Sequence, residues 1–301
     1  MNYTLNQMQV FQKVVQLRSI TKASESLYLT QPAVSIQLKN FQMQFDMPLF
    51  EVIGRQVYIT DFGHEIATAV DEILFHVSEI HFRSKTFQGD LAGKLKIASV
   101  STGKYVMPYF LTDFIKIHNG VELSMDVTNR ENVLSRLEKN EVDFALVSVL
   151  PRKLKVERME LLSNELYLIG NKDVQQNEIR SKKELQEHSL IYREPGSATR
   201  LSMEDFIERK NIDGFKKFEL TSNEAVKQAV IAGLGISIMP KIGLRNELKS
   251  GDLKILKMRG LPIVTHWNLI WLKGKRHTAV SNSFLEHLEN VKTSIIAEHF
   301  S

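Results

Sequence analysis

Residues 19 to 41, SITKASESLYLTQPAVSIQLKNF, most constrain what this chain can fold into, because they encode two short helices meeting at a capped turn. Ser19 stands as the N-cap of a first helix with Ile20, Ala23 and Leu27 inward, and Thr30 as the N-cap of a second with Pro32 in its opening turn. The second helix turns Val34, Leu38 and Phe41 inward. Its start and remaining face carry Thr30, Gln31, Pro32, Ser35, Gln37 and Lys39, which suit base edges and phosphates better than a core. This is helix-turn-helix grammar, and a short polar helix of this kind fits a major groove. An ordinary helical hairpin has the same local pattern, so the flanking residues decide between the two.

Those flanks favour the DNA reader. Upstream, Leu5, Met8, Phe11, Val14 and Val15 recur at helical spacing and supply a packing partner for the pair. Downstream, residues 48 to 60 (PLFEVIGRQVYIT) hold two β-prone runs hinged at Gly54, a β-hairpin wing with Arg55 at its tip. A guanidinium there can enter a minor groove or clamp a phosphate; a solvated turn arginine is the alternative.

The N-terminal ninety residues resemble LysR-type transcriptional regulators, and the rest of the chain is similar to that family from end to end. The resemblance is carried by the Ala23 to Leu27 helix, Thr30-Gln31-Pro32-Ala33-Val34-Ser35, Pro48-Leu49-Phe50-Glu51, and Gly54-Arg55 followed by Ile59-Thr60 and Gly63. It implies that Gln31, Pro32 and Ser35 read DNA. The family often has Arg where this chain has Ile36, and Glu and Gly where it has Gln42 and Asp46. Further on, Arg193-Glu194-Pro195-Gly196-Ser197 with Thr199-Arg200, then residues 222 to 230 and Ala232-Gly233-Leu234-Gly235, look most like the subgroup controlling carbon-fixation (RuBisCO) operons. That likeness implies a phosphorylated sugar or a nicotinamide metabolite as effector.

From Asp61 to about Phe87 the apolar positions Ile66, Val70, Ile73, Val77, Ile80 and Phe87 follow heptad spacing, with Ser84 interrupting the seam. Such a narrow seam suits a partner helix, which the resemblance also implies; an amphipathic helix lying on its own core is the alternative. Pairing would hold two winged units at fixed spacing on a pseudo-palindromic site. The expected organisation is a winged helix-turn-helix at 1–60, a dimerisation helix at 61–88, and an effector domain at 89–301 entered through a hinge at Gly89 to Gly93.

Beyond the hinge strands and helices alternate. Strands are expected at Leu95 to Ala98, Val121 to Val127, Phe144 to Val149, Glu165 to Gly170, Leu190 to Arg193, Phe218 to Leu220 and Ile236 to Met239, with helices at Val106 to Ile117 and Arg130 to Leu137. The fold class is α/β, with a mostly parallel sheet covered on both faces. The resemblance implies two lobes as in periplasmic binding proteins, lobe 1 at about 93–162 and 267–301 and lobe 2 at about 163–266. Ligands in open α/β sheets bind beyond the carboxyl ends of strands. Ser99, Ser101, Thr102, Asn129, Ser148, Ser197, Thr199, Arg200 and Asn223 fall at such places. Helix N-capping explains any one of them; their recurrence favours a small anionic metabolite held by hydroxyls, amides and Arg200.

Composition sets outer limits. A net charge of +4 and a pI near 9.0 permit nucleic-acid binding, and the cationic residues Lys13, Arg18, Lys22, Lys39 and Arg55 are thinly spread, so a dimer is needed to raise phosphate affinity. The absence of cysteine excludes disulfides, thiolate metal sites and a cysteine nucleophile. No apolar run approaches membrane-spanning length and no signal-peptide pattern opens the chain, so a cytoplasmic location is expected. Neither cofactor nor metal is implied. Gly233-Leu234-Gly235 lacks the third glycine of a dinucleotide fingerprint and precedes a strand, and His64, His76 and His81 lie at unequal spacing. The expected function is a sequence-specific regulator, activator or repressor, acting as a dimer or dimer of dimers, with RNA polymerase as a further partner. The alternative is an α/β enzyme acting on a small phosphorylated or carboxylated metabolite.

Overall fold

The computed structural model describes residues 2–54, 56–86 and 91–300. The chain divides into two compact units, Met1–Asp90 and Leu91–Ser301. Arg55, Phe87 and the Gly89-Asp90 part of the expected hinge lie outside the described residues.

The first unit contains α1 (Leu5–Leu17), α2 (Ile20–Leu27), α3 (Gln31–Gln42), β1 (Phe50–Ile53), β2 (Gln56–Ile59) and α4 (Asp61–Thr86). Local capping fixes the helix starts. Thr4 and Gln7 form a reciprocal capping box on α1, while the Ser19 and Thr30 hydroxyls accept from the amides of Lys22 and Ala33. Arg18 and Tyr28 end α1 and α2 in the left-handed conformation, at φ 49° and 55°, which reverses the chain tightly between helices. Met8, Phe11, Val14, Ala23, Val34, Leu38 and Phe41 form the core, closed by Leu49 and Val57 of the wing. Each buried phenylalanine stabilises it by roughly 2–3 kcal/mol.

A corner joins wing to α4. The Thr60 hydroxyl accepts from the Gly63 amide at 2.9 Å and donates to the Pro48 carbonyl at 2.7 Å. A Cβ on Gly63 would fall 1.9 Å from the Leu49 carbonyl oxygen, so only glycine fits. The heptad reading of α4 then divides in two: Ala67 and Val70 are buried in the unit's own core, with Ile66 and Leu74 against it, whereas Ile73 and Ile80 are 39% and 68% exposed.

The second unit begins with β3 (Ala92–Val100), a 3-10 turn (Ser101–Tyr105), α5 (Met107–Ile117), β4 (Gly120–Thr128), α6 (Arg130–Glu138), β5 (Phe144–Val147) and β6 (Val156–Asn171). It continues with β7 (Glu178–Ile179), α7 (Lys182–Gln186), β8 (Leu190–Arg193), α8 (Ala198–Arg209), β9 (Lys217–Leu220), α9 (Asn223–Ile231) and β10 (Ser237–Pro240). After a second 3-10 turn (Lys241–Gly243) come α10 (Arg245–Ser250), β11 (Leu253–Ile255), β12 (Lys257–Met258), β13 (Ile263–Leu272) and α11 (Ala279–His299).

The principal sheet runs β10-β6-β13-β5-β3-β4, with β11 also paired to β6. It is mixed, contrary to the mostly parallel expectation: β3 pairs in parallel with β4 and β5, but β13 is antiparallel to β5 and β6, and β10 and β11 are antiparallel to β6. The cause is the double passage of the chain between lobes on two long, oppositely directed strands. β6 has sixteen residues where six were expected, because its first half alternates exposed and buried positions. β3 also starts earlier than expected, since Ala92 and Gly93 of the proposed hinge pair with Gly120 and Val121.

Two cores result. Phe110, Phe114, Phe144, Trp267 and Phe284 anchor the first lobe. The second lobe is built on Leu166, Leu168, Tyr192, Met203 and Phe206, with Val226, Val230 and Met239 beside them. Between the cores, residues 163–165 face 264–266 across the β6–β13 ladder, where Asn164 donates to the Thr265 hydroxyl at 2.9 Å.

Candidate DNA interface and effector cleft

On α3 the buried seam Val34, Leu38 and Phe41 fixes which side chains face away from the unit. Gln31, Pro32 and Lys39 are exposed, Ser35 and Gln37 half-buried, and Thr30 is exposed while its hydroxyl caps the helix. At about 100° per residue Gln31 and Gln37 lie on opposite flanks, each within about 70° of the seam, whereas Pro32 and Lys39 point farthest outward of the set. The helix end is secured by Gln42, whose amide accepts from Leu49 N at 2.7 Å and donates to the Met47 carbonyl at 3.2 Å. A carboxylate could make only the first of these bonds. Sequence reasoning noted that position and missed this staple, which ties the outward helix to the wing.

In the second unit, chain ends from both lobes meet at one narrow cavity of about 10 Å³, room for a single water. Ser101 and Thr102 follow β3; Asn129 and Arg130 open α6; Arg193 ends β8; Ser197 and Thr199 open α8; Asn223 opens α9. Three helix amino ends therefore converge, each bringing the positive end of a helix dipole. Six of the nine expected residues line this cavity. Ser99 does not; it is fully buried beneath the 3-10 turn, its hydroxyl so close to Gly103 that a Cβ there would lie 2.1 Å away. Ser148 is half-buried and outside the lining.

Arg200 is also elsewhere. Its guanidinium pairs with Glu204 at 2.7 Å and Glu219 at 2.5 Å and donates to the Arg193 carbonyl at 2.9 Å. Burial disfavours its charge, but the hydrogen bonds it donates to Glu219 and Glu204 outweigh this and raise its pKa. Its place is taken by Arg193 and Arg130, which sequence reasoning did not choose. Arg193 is 4% exposed, doubly bonded to Glu194 and 3.4 Å from the Ser101 hydroxyl in the opposite lobe. Arg130 donates to the carbonyls of Val149 and Leu150, both at 2.9 Å. Its pKa is lowered by burial and then by Arg152, from a value high enough that it stays a cation.

Capping separates the remaining candidates. The Asn129 side chain accepts from Asn132 N and Ser222 caps α9, but Ser197 makes no side-chain cap, and the buried Asn223 Oδ1 has no hydrogen-bond partner. The lobes touch here directly, Glu131 N donating to the Gly196 carbonyl at 3.3 Å. Gly196, at φ +82°, leaves only 2.7 Å between an added Cβ and the Glu131 carboxylate.

Residues 5–64 match the family described as bacterial regulatory helix-turn-helix protein, lysR family, and residues 88–292 match the LysR substrate binding domain. The chain belongs to the LysR family. It is 36% identical to the transcriptional activator CmpR of Synechocystis sp., over 95% of both chains, and 35% identical to a RuBisCO operon transcriptional regulator of Acidithiobacillus ferrooxidans, over 95% and 93%. The regulatory domain of Synechocystis CcmR in complex with 2-PG superposes with a TM-score of 0.62 at 34% identity, covering 66% of this chain and 97% of that one. This LysR-type protein is thus a DNA-binding transcriptional regulator with an effector-binding domain, and the enzyme alternative is set aside. Among the described residues no helix is long and apolar enough to cross a membrane.

Proposed function

We propose that this LysR-type regulator holds a compact phosphate- or carboxylate-bearing anion between its lobes and that the bound anion changes how α3 is presented to a promoter. The observation that carries the reading is the convergence of the α6, α8 and α9 amino ends with Arg130 and Arg193 on one cavity. Backbone amides, the Ser101, Thr102, Ser197 and Thr199 hydroxyls and the Asn129 and Asn223 amides would surround the ligand. The guanidiniums would supply charge. Ligand contacts with both lobes favour the closed arrangement over an open one, which is the differential affinity a switch requires.

On the DNA side, Gln31, Pro32, Ser35 and Lys39 meet the major groove, Thr30 and Gln37 flank them, and Arg55 serves the wing. The stripe of exposed Ile73 and Ile80 with half-buried Val77 between them pairs two copies, and two such pairs form a dimer of dimers that acts on RNA polymerase at a cytoplasmic promoter. The names of its relatives support a carbon-assimilation operon as target.

Footprinting on genomic DNA, repeated over a series of 2-PG concentrations with inorganic phosphate as control, tests the proposal. A protected pseudo-palindrome whose boundaries move with 2-PG supports it. A footprint that no small anion alters overturns the effector reading and leaves the DNA reading standing.

A further inference from the structure

Among the described residues of α3, Ile36 is the large apolar side chain left in water, 58% exposed, while its buried counterparts Val34, Leu38 and Phe41 fill the core. At about 100° per residue it stands roughly 170° around the helix from the mean direction of that seam, farther out than Ser35 or Lys39. A groove-reading helix that needed only phosphate affinity would place a cation or a short polar group at its outermost point. Here an isoleucine occupies it, one turn after Pro32 and one turn before Lys39 and Asn40, with Ser35 to one side. The Thr30 and Pro32 helix start and the Gln42 staple hold the backbone beneath it in place. The major groove offers one apolar group among the four base pairs, the 5-methyl of thymine.

We infer that Ile36 reads a thymine methyl, one in each half-site, and so sets which base is accepted at the position facing the middle of α3. The inference rests on the proposal that α3 enters the major groove. It makes Ile36 a specificity residue that acts by contact and desolvation, beside the hydrogen-bonding Gln31 and Ser35.

The test uses the full-length chain and the strongest footprinted site, with each thymine in the protected half-sites replaced singly by deoxyuridine, which removes the methyl and nothing else. One position per half-site should weaken wild-type binding about four-fold, the worth of one buried methyl. Ile36→Ala should bind the thymine and uracil duplexes equally, and Ile36→Val should retain part of the preference. Wild type insensitive to uracil at every position overturns the inference, as does an equal loss in wild type and Ile36→Ala. If Gln31→Ala and Ser35→Ala also leave specific binding unchanged, the failure lies with the placement of α3 in the groove.

Discussion

Gln31, Ser35 and Lys39 are presented by α3 as exposed or half-exposed side chains, whereas half-buried Arg130 and buried Arg193 are already committed to two and three hydrogen bonds with their own protein. On the proposed reading, α3 offers hydrogen-bonding capacity that water satisfies until DNA replaces it. The cleft offers charge that has already been desolvated and partnered. The two regions should therefore answer to substitution in different ways: changes on the reader should alter binding and spare stability, while changes in the cleft should alter both.

Arg193→Ala is the most severe test of that contrast. It leaves Glu194 poorly solvated and without its cation, and should lower the stability of the regulatory unit by about 3 kcal/mol in thermal unfolding while abolishing the response to 2-PG. Unchanged stability would show that the pair is not the buried support described. Next, Gly63→Ala carries the comparison to the reader's own scaffold: the clash with Leu49 should destabilise the winged unit by about 2 kcal/mol, although Gly63 offers no group to DNA. Gln31→Ala should weaken specific binding about ten-fold and leave the unfolding midpoint unaltered; a matching loss of stability would erase the distinction between reader and cleft.

Gln42→Glu falls between the two classes. It keeps the acceptor for Leu49 N and loses the donor to Met47, costing about 1 kcal/mol, readable by chemical denaturation. The smallest effect belongs to pH. Burial first, then Lys275, lowers the pKa of His277; burial first lowers that of His287, so the folded state disfavours protonating either. Above about pH 6.5 neither affects stability. As pH falls below that value the unfolded chain takes up protons more readily and stability declines. The double variant His277→Gln, His287→Gln should flatten the fall in Tm between pH 7 and 5.

The same contrast governs what the amino-acid sequence discloses. α3 is legible because thirteen consecutive residues, Thr30 to Gln42, carry its cap, its seam and its outward face, and no distant contact is needed to orient them. The cleft draws Ser101, Arg130, Arg193 and Asn223 from four separate strand-to-helix transitions, and hydroxyl or amide residues at such transitions could be found by position alone. Which arginine serves could not. Arg200 sits in the first turn of α8 and looks suited to an anion, but Glu204 four residues later competes for it, a spacing visible in the sequence, and Glu219 completes the capture. Arg193 ends a buried strand and reads as core until the fold turns it toward Ser101. The mixed sheet escaped for a related reason. Periodicity marks each strand but not its direction, and direction here follows from two return passages set by the folded chain.

Those passages bear on how sensitively the regulator can respond. Residues 163–165 and 264–266 form a strip two strands wide whose side chains belong to neither lobe's hydrophobic core, and just beyond it the ladder slips register at Trp267 and Asn268. Flexing the unit along that strip strains a few peptide pairs, whereas flexing it elsewhere pulls packed phenylalanines apart. On the proposed reading, in which the ligand draws the lobes together, the strip is a torsion spring whose stiffness sets the gain of the sensor: how many degrees of rotation a given ligand affinity produces. Selection can retune that gain at Thr265 or Asn164, neither of which lines the cavity, without altering the residues that do.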